Sequence, residues 1–203
     1  MKTGMIEAMM HLERRLRTRL FTMLLASQFR EFGPCSRIEP PFTFWGLNQI
    51  SVSDSVYIQR DCWIHVVAGY ADEKSVKITL KSHASIGKRT AIAAAQEVVI
   101  GEYVMIGSNC HVSDQAHAFK DLDRPIMVQG CDNIKPVSIG AETWIGNNVS
   151  VLPGVTIGRH CVIGAGSIVS ASIPDFSVAV GMPARVVKTL GRDSAHENNR
   201  ETR

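Results

Sequence analysis

The sequence predicts an all-β fold, a parallel β-helix of short strands, and three features predict it. Isoleucine or valine returns every six residues at Ile139, Ile145, Val151, Ile157, Ile163 and Val169. Four residues after each stands a small or β-branched residue: Thr143, Val149, Val155, Cys161, Ser167 and Ile173. Glycine follows the isoleucines, as at Gly140, Gly146, Gly158 and Gly164. Neither the 3.6-residue helical period nor simple strand alternation gives a strict six. Short strands joined by tight corners do: both recurring positions point inward, and glycine relieves crowding at the corner. Three such units close a triangular turn of about eighteen residues, and stacked turns bury their inward residues against one another.

Residues 1–49 precede the regular beat. Within them, residues 5–30 read as one amphipathic helix, with Met9, Leu12, Leu16, Leu20 and Met23 at three- and four-residue steps and Gly33-Pro34 as its stop. The stripe suits packing across the prism or against a neighbouring subunit. Peripheral membrane contact through the same helix is the second reading, because Arg14, Arg15, Arg17 and Arg19 are basic. Glu7 and Glu13 dilute that positive face, which favours packing. The aromatic segment "PPFTFWGLNQ" leads into the coil.

The coil domain is assigned to residues 50–188. Its beat is faint at Val52, Ile58 and Ile64, with Val56, Cys62 and Ala68 in the second slot, and firm at Leu80, Ile86 and Ile92. A two-residue slip then leads to Ile100, Ile106 and Val112. The 26 residues 113–138 interrupt the rhythm before Ile139. A loop of that length must protrude from a corner, and inside a compact repeat it is usually functional. Residues 189–203 are poor in apolar side chains and read as a flexible tail, in which His196 has no assigned role.

Composition narrows the function. A net charge of +3, with the basic residues gathered near the two ends, lacks the continuous stripe of a nucleic-acid binder. There is no run of eighteen apolar residues and no secretory signal pattern. Five cysteines without a CxxC pair suit reduced thiols in the cytoplasm; Cys62, Cys110 and Cys161 fill the small inward slot.

The string "IGAETWIGNNVSVLPGVTIGRHCVIGAGSIVSASIP", followed by "VAVGMPARVVK", resembles the carboxyl-terminal half of the hexapeptide-repeat acyltransferases. The likeness covers roughly residues 50–188. It is strongest to the galactoside and maltose O-acetyltransferases and to acetyltransferases of surface-polysaccharide synthesis. The resemblance implies a left-handed β-helix, a homotrimer with active sites between neighbouring prisms, acetyl-CoA as donor, no required metal and a sugar or glycan-precursor acceptor. It places the enzyme in the cytoplasm, at the inner membrane face if the helix engages lipid.

In that family the general base is a histidine where the rhythm breaks into the loop. Here "SDQAHAF" supplies Asp114 and His117, with Gln115 where some relatives carry an earlier histidine. Imidazole suits the task because its ordinary pKa lies near neutrality. By resemblance His117 is the catalytic base, Asp114 and His111 line the site, and Trp144 of "TWIG" walls it near the thiol. Gly146, Gly164 and Ala165 would let the pantetheine arm approach, and Arg185 and Lys188 are the cations available to the adenosine phosphates. Two departures touch the acceptor. Asn147, counted among the lining residues, stands where galactoside acetyltransferases have serine. In "IAAAQEVV" alanines replace an acceptor-orienting asparagine.

His65, His83 and His160 read as surface or packing residues. Cys131 lies in the loop without a neighbouring histidine, so a covalent acyl-enzyme is not favoured. Two other classes are weighed: a zinc hydratase of the γ-carbonic-anhydrase type using His83, His111 and His117, and a catalytically idle scaffold.

Overall fold

The structure, a computed structural model, describes residues 2–70 and 74–191. Three sheets of six, eight and six strands form its body, and successive strands enter the first, second and third sheet in turn. The pairings between coils are parallel; the exception is the last strand, Ala184–Thr189, which turns back antiparallel along Ser177–Gly181.

The six-residue beat is the core. Val52, Leu80, Ile100, Ile139 and Ile157 pair down the first sheet. Ile38, Ile58, Ile86, Ile106, Ile145 and Ile163 pair down the second. Ile64, Ile92, Val112, Val151 and Val169 pair down the third. All are buried, and each such burial stabilises the fold by roughly 1.5–3 kcal/mol.

The second slot does more than fill space. Thr90 and Thr143 donate to the corner carbonyls of Gly107 and Gly158, at 3.0 and 2.9 Å. Cys62, Cys110 and Cys161 do the same to Gly87, Gly146 and Pro174, each at 3.1 Å. A thiol packs as a small hydrophobe yet still offers one weak donor, so cysteine and threonine interchange here. Burial pushes the Cys62 thiol up to about 11 and raises that of Cys110.

The corner glycines are explained by the coil below. A Cβ on Gly87 or Gly140 would lie 2.5 Å from the backbone of Gly107 or Gly158. The left-handed corner conformation falls mostly on non-glycine residues, with φ between 51° and 63° at Ser55, His83, Tyr103, Glu142 and His160, and on glycine at Gly154 and Gly166. His83 and Tyr103, on adjacent coils, stack at 4.5 Å.

The coil starts earlier than the sequence reading places it. Glu31–Phe32, Arg37–Ile38 and Phe42–Trp45 already pair into the three sheets, so residues 31–45 are a first turn rather than a lead-in. Phe32, Ile38 and Phe44 keep the six-residue spacing, with phenylalanine where later turns carry isoleucine. Ala68 is exposed, because the chain leaves the coil after Val66 and rejoins it at Ile78.

The helix spans Lys2–Ala26 and ends four residues short of the expected Arg30. Phe29 turns into the core against Phe32, and the Arg30 N–H bonds to Leu47 and Ile50 carbonyls, which draws the chain into the first sheet. The face that docks on the prism is not the apolar stripe, which suits the expected packing against a neighbouring subunit and not packing across the prism. Thr18, Thr22 and Leu25 are buried, and the Thr22 hydroxyl accepts the Ile38 N–H at 2.9 Å. The stripe of Met9, Leu12, Leu16, Leu20 and Met23 is exposed. Among the described residues no helix is long and apolar enough to cross a membrane. Residues 192–203, including His196, lie outside the described chain.

Alkylation checks the inward slot. Iodoacetamide at about pH 8 is expected to label Cys35 and Cys131, while Cys62, Cys110 and Cys161 react only after denaturation. Mass spectrometry of the native protein reads the pattern; rapid native labelling of Cys62 would break the packing described.

Candidate active site

The interrupted rhythm produces a short antiparallel stem. Ala116–His117 pairs with Cys131–Asp132, placing His117 opposite Cys131. The stem leaves the corner between the third sheet, at His111–Ser113, and the first, at Val137–Ile139. Two anchors hold its root. Asp114 is fully buried and accepts the backbone N–H groups of Ala95, Gln96 and Glu97 at 2.8, 2.7 and 2.7 Å. The Tyr70 hydroxyl accepts the Cys131 N–H at 2.7 Å.

Asp114 therefore neither orients His117 nor lines an open site, because three amides occupy its carboxylate. It fixes the stem that carries His117. The His117 ring is exposed and meets no hydrogen-bond partner among the described residues. At the far side of the stem Lys120 bridges Asp132 at 3.3 Å; the Asn133 N–H, then Lys120, hold the Asp132 carboxyl below its usual range. Beyond the stem the tip is open, with Leu122 95% and Met127 87% exposed.

The second sheet carries an outward row. Arg37, Tyr57, Ser85, Met105, Trp144, Val162, Val178 and Lys188 are successive partners across its eight strands. Trp144 is half exposed near the middle. Between Trp144 and Lys188 lie three strand spacings, about 14 Å at the usual distance between paired strands. Val162 and Val178 floor that strip.

The small residues beside the strip divide in two. The missing Cβ of Gly146 is taken up by Ala165 backbone at 2.6 Å, and that of Gly164 by the Val180 side chain at 2.6 Å. Both glycines thus answer to coil stacking. Ala165 is exposed at its corner, and among the described residues no acceptor meets its N–H. Arg185 and Lys188 are exposed on the final strand, Arg185 donating to the Ala184 carbonyl at 2.9 Å. Asn147 is a corner tie: its Oδ1 accepts the Ser108 N–H and its carbonyl accepts the Gly166 N–H, both at 2.8 Å.

His111 faces outward on the third sheet between Ala91 and Ser150, and burial by its neighbours lowers its pKa. His65, stacked on Trp63 at 5.1 Å on the same sheet, is lowered for the same reason. His83 belongs to the corner between the first and second sheets, so His83, His111 and His117 do not share a face within one chain. Among the described residues no group of three His, Cys, Asp or Glu could hold a metal ion.

Known proteins share this architecture. Residues 136–171 match the family described as bacterial transferase hexapeptide, six repeats. A probable acetyltransferase of Mycobacterium tuberculosis is 37% identical over 62% of this chain and 42% of its own length. The chain spans 42–62% of the length of the first curated relatives it matches. Among solved structures, AntD, an N-acyltransferase from Bacillus cereus in complex with dTDP and 3-hydroxybutyryl-CoA, superposes with a TM-score of 0.71 at 22% identity, over 87% of this chain and 92% of its own. A hexapeptide-repeat acetyltransferase from Vibrio cholerae with bound acetyl coenzyme A gives 0.55 at 25% identity, over 83% and 75%. The chain carries the hexapeptide repeat and resembles the hexapeptide-repeat acyltransferases in sequence and fold.

The buried carboxylate gives a stability test. Asp114→Ala leaves three buried or half-buried amides without their charged acceptor and is expected to cost about 3 kcal/mol or more. Urea unfolding measures it; a change under about 0.5 kcal/mol would mean that water replaces the carboxylate freely.

Proposed function

We propose that this protein transfers an acetyl group from acetyl-CoA to a sugar hydroxyl, with His117 as general base and no covalent acyl-enzyme. The observation that carries the reading is the pairing of an exposed histidine on an anchored stem with an aromatic-to-cationic strip on a repeat coil. The acetyltransferase names of its relatives support it.

The donor lies along the second sheet, its thioester at Trp144 and its phosphates toward Lys188 and Arg185. The Ala165 N–H is a ready donor for the pantetheine arm or for the oxyanion. His117 takes the proton from the acceptor hydroxyl as its oxygen attacks the thioester carbonyl. The tetrahedral oxyanion collapses, the carbon–sulfur bond breaks, and the imidazolium returns the proton to the departing thiolate.

Within one chain the stem corner lies opposite the second sheet. The base and the donor strip therefore come together only when His117 of one copy faces the second sheet of another. A homotrimer of left-handed prisms, as the family resemblance implies, supplies that meeting. The acceptor is a sugar or glycan precursor, as in surface-polysaccharide synthesis, and the setting is cytoplasmic, where acetyl-CoA is made.

Free thiol release from acetyl-CoA by the purified protein, across sugars and nucleotide sugars bearing hydroxyl or amino groups, tests the reading. His117→Ala is expected to lower turnover at least about a hundredfold, the usual worth of a general base. Undiminished release in that variant sinks the assignment of the base. Transfer only to amino sugars replaces O-acetylation with N-acetylation.

A further inference from the structure

Two clefts flank Arg14 where the N-terminal helix crosses the coil. The first is lined by Arg14, Arg17 and Arg60 and also by Glu7 and Glu13, so its charges are largely offset. The second, of about 490 Å³, is lined by Arg14, Arg15, Thr18, Arg19, Arg37 and Tyr57, with no carboxylate on its wall. Glu39, which is 2% exposed, lies beneath it. That carboxylate approaches Arg14 at 3.8 Å and accepts the Tyr57 hydroxyl at 3.1 Å. One buried carboxylate therefore answers four guanidinium groups. No carboxylate among the described residues pairs with Arg15, Arg19 or Arg37.

The arrangement is built rather than incidental. Arg15 and Arg19 are four apart on one helical face, beside Arg14 and Thr18. The Thr22 hydrogen bond to Ile38 docks that face against strand Arg37–Ile38 and so brings Arg37 to the helix. Like charges held together repel unless an anion joins them, and planar guanidinium forks match the oxygens of a phosphate two at a time.

From this we infer that the cleft between the helix and the second sheet binds a phosphate or diphosphate group. Arg15, Arg19 and Arg37 are its ligands, and Arg14, held by Glu39, is a fixed wall. The position gives the site a use. Arg37 and Tyr57 begin the outward row that reaches Trp144, and Tyr57 stands three strand spacings from Trp144, about 14 Å. The donor strip runs from Trp144 the other way, to Lys188. A ligand anchored by phosphate in the cleft extends along the same face toward Trp144. A sugar carried on a diphosphate has that shape, and this identification of the ligand rests on the acetyl-transfer reading.

The binding itself can be measured without any turnover. Isothermal titration of the full-length protein with inorganic pyrophosphate and with a nucleoside diphosphate is one arm. Co-sedimentation with phosphatidylglycerol vesicles, against neutral phosphatidylcholine vesicles, is the other, because a lipid headgroup presents the same phosphate. Arg15→Gln with Arg19→Gln is the test variant; both side chains are exposed and neither supports the fold. Arg30→Gln with Lys81→Gln removes the same charge elsewhere. Affinity is expected to fall at least about tenfold in the first variant and to stay within about twofold in the second, as the loss of charge-assisted hydrogen bonds dictates. Pyrophosphate binding with that pattern assigns the phosphate to a soluble ligand. Vesicle binding with that pattern and no pyrophosphate binding assigns it to a lipid headgroup. Absence of binding in both arms, or equal losses in the two variants, overturns the site. Pyrophosphate binding without thiol release would leave the cleft standing and remove the acetyl-transfer reading.

Discussion

The whole molecule depends on how closely one coil can sit on the next. Gly87, Gly140 and Gly146 each face the backbone of the following turn where a Cβ would stand. With those contacts in place the isoleucine columns stack, and at five corners a threonine or cysteine in the second slot donates to a carbonyl of the neighbouring coil. Interiors are packed about as densely as organic crystals, so a side chain at one of these corners would push two coils apart rather than be absorbed. The outward rows inherit their spacing from this stack. The ladder of partners from Arg37 to Val178 keeps one register, and a bulge between Val178 and Ala179 lies where Lys188 joins it.

The inward columns were legible because period six is enforced by burial, and burial filters residue type. The first turn was harder to see. Phe32, Ile38 and Phe44 keep the beat, but prolines and aromatics around them mask it, and a cis bond at Pro40-Pro41 lies among them. The break in rhythm marks the stem that carries His117, but nothing in the rhythm marks the burial of Asp114. A buried aspartate that caps a distant turn has the same local sequence as one that faces a substrate. Only the position of residues 95–97 beside it separates the two. The helix was read by its apolar stripe, yet Thr18 and Thr22 dock it. On that face the Thr22 hydroxyl meets the Ile38 amide while Phe21 and Leu25 pack beside it, and a hydrophobic period does not register a hydroxyl.

The arginine cleft has the same origin. Four arginines on the helix are visible in the sequence, but Arg37 joins them only through that threonine contact. Charge balance differs sharply between the two clefts on either side of Arg14, although they share that residue and the same helix. Composition averages over both. Geometry keeps them apart.

The stem at 116–132 leaves one corner and returns with the register of the first sheet intact, Val98 facing Val137 and Ile100 facing Ile139. Chain can therefore be added or removed at that corner without disturbing the rungs above or below, and loop-closure entropy grows only slowly with length. The outward row on the second sheet and the excursion that carries His117 are separate stretches of sequence. Each can change while the other is conserved. A coil of this kind can have its surface insertion edited on its own, while the outward row on its second sheet stays as it was.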